Sequence, residues 1–156
     1  MSRGAALACA ALALLASGRA DAGSGVTSCT ASAGGVAFGI YDPTSPSALT
    51  SSGTISVSCT VGSGHNPVTI ALSAGSSGSY AVRTLVSGTN LLNYNLYLDA
   101  AYSQVWGDGT GSTVTDAQYV TPGQPAFSAT VYALMPASQN AAAGSYIDTI
   151  TVTVSY

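Results

Sequence analysis

The stretch Ile147-Asp148-Thr149-Ile150-Thr151-Val152-Thr153-Val154-Ser155-Tyr156 alternates with period two. It places Ile150, Val152, Val154 and Tyr156 on one side and Thr149, Thr151, Thr153 and Ser155 on the other. Side chains of a strand point alternately to its two faces, so this pattern marks a strand with one buried and one wet face. Working back from it, the same period recurs. In residues 54–61 the inward set is Ile55, Val57, Cys59 and Val61, and after a turn at 62–67 comes a second set of Val68, Ile70, Leu72 and Ala74. Residues 91–99 place Leu92, Tyr94, Leu96 and Leu98 on one face, and an early run at 36–41 alternates Val36, Phe38 and Ile40 before Asp42-Pro43 breaks it. Runs at 80–86 and 126–135 bring the total to about seven short strands separated by Gly, Ser, Asn and Pro turns.

That arrangement predicts an all-β chain, an antiparallel β-sandwich of immunoglobulin-like kind, with a barrel as second choice. Helical periodicity is nearly absent. With 156 residues and 47% hydrophobic content the chain has the material for one core, and its 6% charge does not signal disorder, which pairs high charge with low hydrophobicity.

The N-terminus reads as a secretory signal peptide spanning 1–22, leaving one domain at 23–156. Arg3 precedes a twelve-residue apolar run at 5–16, and Ala20-Asp21-Ala22 fits the small-x-small rule for cleavage before Gly23. Twelve apolar residues are too few for a spanning helix, and no transmembrane segment is expected elsewhere. A lipoprotein reading fails because Cys9 lies inside the apolar run and Cys29 is separated from it by Arg19 and Asp21. Cleavage would leave Cys29 and Cys59 in an oxidising compartment, where an even count favours one disulfide. Such a bond stabilises by about 3–4 kcal/mol in the chain-entropy model.

Arg83 then stands alone against Asp42, Asp99, Asp108, Asp116 and Asp148, a formal charge of −4. Nucleic-acid binding is excluded on that ground, since phosphate contacts need clustered Lys or Arg. Arg83 is expected to pair with an Asp at a strand end, and Trp106 and Tyr94 are expected in the core. The single histidine, His65, lies in a Gly/Asn/Pro turn and reads as a solvated loop residue rather than a catalytic base. Residues 107–112, Gly-Asp-Gly-Thr-Gly-Ser, lack the repeated carboxylates of a calcium loop. No catalytic residues, metal ligands or cofactors are predicted, and the chain is not expected to be an enzyme. Outward strand faces rich in Ser and Thr, without Lys or Glu to discourage edge pairing, point towards assembly.

Particular blocks carry a resemblance. Val36-Ala37-Phe38-Gly39-Ile40-Tyr41-Asp42, Ile55-Ser56-Val57-Ser58-Cys59, Tyr80-Ala81-Val82-Arg83, residues 92–99, Val105-Trp106-Gly107-Asp108-Gly109-Thr110 and residues 143–154 occur in one order along the chain. In this the sequence resembles the spore coat protein U domain family, whose members include subunits of archaic chaperone-usher pili. The resemblance implies a pilin-like sandwich lacking its final strand. It also implies a hydrophobic acceptor groove beside the C-terminal strand, lined by Ile150, Val152, Val154 and Tyr156. That groove is expected to stand empty until a foreign strand enters, first from a periplasmic chaperone and then, at the usher, from another pilus subunit.

The implied route is export through the inner membrane, transit of the periplasm, and residence in a fimbrium or at the cell surface. Residues 23–28 precede Cys29, span at most roughly 20 Å and offer one apolar anchor, so forward donation of a strand is not expected. A terminal or minor subunit, a coat protein, or earlier cleavage are the alternatives. A spore or cell-surface coat protein is the second functional reading. A carbohydrate-binding module using Tyr97, Tyr102 and Tyr119 is the third.

Overall fold

The computed structural model describes the backbone of residues 6–13 and residues 25–156 in full. In chain order the strands are β1 (Ala6–Ala13), β2 (Val26–Ala33), β3 (Val36–Tyr41), β4 (Leu49–Val61), β5 (Asn66–Leu72), β6 (Arg83–Ser87), β7 (Asn90–Tyr97), β8 (Asp116–Val120), β9 (Ala126–Met135), β10 (Ser145–Tyr146) and β11 (Thr149–Ser155). One 3-10 turn, Gly75–Ser77, follows β5. The first sheet runs β10-β1-β11-β5-β8 with β3 also paired to β1, and the second runs β2-β4-β9-β7-β6. Among the described ladders, β1 runs parallel to β10 and β11, and the other pairings are antiparallel. This is the predicted sandwich.

Alternation produced these elements as expected except in β3, where Ile40, read as inward, is exposed and Tyr41 is buried instead. In β4 the buried positions are Ile55, Val57 and Cys59, with Ser and Thr between them exposed, and β9 buries Ala129, Val131, Ala133 and Met135. Between the sheets these meet Val68, Ile70 and Leu72 of β5 and Leu85, Leu92 and Leu96 of β6 and β7 in one core. Complete burial of a Leu or Ile side chain contributes about 1.5–3 kcal/mol. Boundaries differ from expectation at residues 80–82, which lie outside β6, and at Ile147 and Asp148, which lie outside β11, while the unexpected β10 precedes them.

Trp106 and Tyr94 are buried, as expected, and the Trp106 indole N–H donates to Ile70 O at 3.0 Å. Arg83 corrects an expectation: it pairs with no Asp among the described residues. It is wholly buried, and its guanidinium donates to Ser73 O, Trp106 O and Asn95 Oδ1 at 2.6–3.1 Å with the Tyr80 ring 5.2 Å away. Carbonyls satisfy the planar fork there. Burial nonetheless pushes its pKa below the ordinary guanidinium value.

Cys29 and Cys59 face each other directly across the β2–β4 ladder and are disulfide-bonded. The bond ties edge strand β2 to the sheet. Replacing both cysteines with Ala is expected to lower stability by about 3 kcal/mol, read as a lower urea midpoint with an unchanged folded spectrum.

Candidate functional site

The margin beside β11 is where the expected acceptor groove falls. β11 has two edges, and one pairs with β5 through Val152↔Leu72, Thr153↔Ala71, Val154↔Ile70 and Ser155↔Thr69. The other edge pairs with β1 through Ala11↔Thr149, Leu12↔Ile150 and Ala13↔Thr151, while β10 meets β1 at Leu7↔Ser145 and Ala8↔Tyr146. On its far side β1 pairs with β3 from Ala6↔Tyr41 to Ala10↔Val36. The ladder therefore passes from β3 to β11 only through β1.

This corrects the expectation of an empty groove: in the full-length chain residues 6–13 fill it. The physical cause is legible in the sequence. Two strands with unpaired inward edges leave backbone N–H and C=O groups unsatisfied, and the most apolar segment of the chain supplies partners at least cost. Those residues belong to the expected signal peptide; its cleavage site at 20–22 lies outside the described residues.

The core-side walls come from both flanks. Ile150, Val152 and Val154 are buried and Tyr156 half-buried against the core. Of the four, only Ile150 lies opposite β1, because that strand reaches no further than Thr151. Sequence reasoning missed the other wall, Val36, Phe38 and Tyr41 of β3 with Tyr146 of β10, all buried. Tyr41 accepts from Gln139 N at 2.6 Å and donates to Pro136 O at 3.2 Å, which fixes the β3 end of the wall. Gly39, with φ 77°, sits where the β1–β3 register slips between Ala8 and Cys9, a conformation that side chains disfavour.

Asp148 anchors the same region. Its Oδ1 accepts from Ser76 N at 2.8 Å, Ser76 Oγ at 2.6 Å and Thr149 N at 2.8 Å, and its Oδ2 accepts from Tyr94 OH at 2.6 Å. The carboxylate joins β11, the 3-10 turn and β7 of the opposite sheet. A Cβ on Gly75 would strike it.

Burial, reinforced by the bond to Asp148, raises the Tyr94 phenol well above its ordinary 10. A raised folded pKa adds stability that is complete below the unfolded pKa and declines as pH rises above it. Stability is therefore expected to fall above about pH 10 by about 1.4 kcal/mol per pH unit from this group. Urea titrations across that range, compared with Tyr94→Phe, should show a shallower decline in the variant.

Other singled-out residues gather no chemistry. His65 stacks on Tyr119 at 4.3 Å, and Tyr97 meets Tyr102 edge to face at 5.6 Å. Asp108 accepts from Thr110 N and Oγ1, bonds that hold its carboxyl below its ordinary range.

A Spore Coat Protein U domain family model matches residues 22–153. The chain belongs to this family. Protein U of Myxococcus xanthus is 31% identical to this domain over 141 residues, covering 81% of the chain and 74% of the relative. A solved chain from the CsuC–CsuE chaperone–tip adhesion subunit pre-assembly complex, of the archaic chaperone-usher Csu pili of Acinetobacter baumannii, matches with a TM-score of 0.56 and 24% identity. The match covers 83% of this chain and 40% of that one, so this Spore Coat Protein U domain spans less than half its length and the likeness establishes the fold.

Proposed function

We propose that this chain is an exported structural subunit of a chaperone-usher surface fibre, completed by a strand from another protein. The observation that carries the proposal is the seating of β1 between β3 and β11. An eight-residue strand completes the first sheet, and it comes from the segment read as the leader. Removal of residues 1–22 leaves two facing edges and the apolar wall of Val36, Tyr41, Tyr146 and Ile150. Strand addition supplies what such a margin needs, backbone bonds for strength and alternate side chains for fit.

The partners are then a periplasmic chaperone, an usher and neighbouring subunits. The route is through the inner membrane and periplasm to the cell surface, and the role is structural rather than enzymatic. The first residues after the proposed cleavage are already committed, since β2 begins at Val26 and pairs with β4. The subunit thus accepts a strand without donating one, which suits a terminal position.

Residues 23–156 produced with the cognate periplasmic chaperone are expected to elute as a one-to-one complex. A stable lone monomer with no affinity for the chaperone would overturn the proposal. Family membership beside Protein U favours a second reading, a spore or cell-surface coat protein. Immunogold labelling separates the two, with label along fibres supporting the first and label confined to a continuous coat the second.

A further inference from the structure

A polar cleft lies away from the acceptor margin, between β8 of the first sheet and β9 of the second. It encloses about 360 Å³ and is lined by Leu98, Asp116, Gln118, Ser128, Thr130 and Tyr132, with Ala129 beneath. Its origin is topological. The β7–β9 ladder stops at Tyr97↔Tyr132, where the chain turns off through Leu98 N donating to Gln104 O. From Ala126 to Val131, β9 therefore pairs only with β4 among the described residues, and β8 pairs only with β5. Two open edges face one cleft.

Asp116 is 6% exposed, yet its carboxylate receives only one hydrogen bond from the described residues, Gln118 Nε2 to Oδ1 at 2.8 Å. Its second oxygen is not sealed from solvent, so it stands open to accept from a ligand in the cleft. Arg83, the one cation among residues 25–156, is engaged in the core with Ser73, Asn95 and Trp106. We infer that this cleft binds a neutral saccharide, with Asp116 accepting from sugar hydroxyls and Gln118 completing the pair. Hydroxyl groups both donate and accept, which matches a lining of amide, Ser, Thr and Tyr groups around one carboxylate. Leu98 and the Tyr132 ring offer apolar surface to the C–H face of the sugar. An alkylammonium ion would satisfy the carboxylate alone and leave the other acceptors unused.

The test is an NMR titration of the isotopically labelled full chain with D-glucose, D-galactose and N-acetylglucosamine in turn, and with butylammonium as the charged rival. At least one sugar should give saturable amide shifts centred on residues 116–118 and 128–132. Asp116→Asn should weaken that binding about tenfold. Gln118→Ala, at an exposed rim position, should weaken it in a chain that remains folded, and it decides the matter if the Asp116 variant fails to fold. No saturable shift with any of the sugars, a response to butylammonium alone, or sugar binding undiminished in the folded variants would overturn the inference.

Discussion

Asp148→Ala is expected to lower stability by about 3–5 kcal/mol, measured as a shift of the urea midpoint at neutral pH. The substitution deletes the acceptor of four hydrogen bonds at once, two from Ser76, one from Thr149 and one from Tyr94. It strands two backbone N–H groups and a phenol in surroundings where Asp148 itself is only 2% exposed. Unsatisfied buried donors carry their full desolvation cost. Asp148→Asn makes a sharper comparison. The three bonds to Oδ1 survive on the amide oxygen, and the Tyr94 hydroxyl can rotate to accept from the amide nitrogen. A loss of about 1–2 kcal/mol is expected there, from the weaker uncharged bonds. Equal losses in the two variants would show that the carboxylate does not act through this geometry.

Removing residues 1–22 should have the second large effect. The strand that bridges β3 to β10 and β11 goes with them, and pairing is lost along both of its edges. Each backbone bond lost is worth a net of about 0.5–1.5 kcal/mol in a domain whose whole stability is about 5–15 kcal/mol, so the urea midpoint should fall clearly. Residues 23–156 alone should unfold at lower urea than the full chain and self-associate as concentration rises, because exposed edges recruit strands. Sedimentation velocity at several concentrations reads the second effect. A monomer as stable as the full chain would contradict it.

Much of the sandwich was legible because its inward positions are large and apolar. Val36–Tyr41 and Ala126–Met135 have the predicted bounds, and β4, β5, β7 and β11 differ by a few residues. The strands that went unread lack that contrast. β2 turns Cys29, Ala31 and Ala33 towards the core, side chains too small to stand out from the Ser and Thr between them. β8 carries Asp116 and Gln118 in the phase of Val120, so its pattern reads as polar loop. β1 was visible only as an apolar run, and composition cannot distinguish an export signal from a strand that also fits a groove.

The acceptor site was half legible. The β11 wall follows from alternation, but the β3 wall lies more than 100 residues from β11 in the chain and is joined to it only through β1. Asp148 gave no signal, because a lone Asp between apolar strand residues has no partners until the 3-10 turn and β7 are folded against it.

Backbone hydrogen exchange on residues 23–156, before and after adding a synthetic peptide with the sequence of residues 5–16, tests the central claim most directly. Amides of Val36–Tyr41 and of 149–151 should exchange rapidly in the protein alone and gain protection when the peptide is added, with the β4–β9 ladder unaffected. Strong protection of those amides without residues 1–22, unchanged by the peptide, would show that the margin closes on itself and accepts no strand.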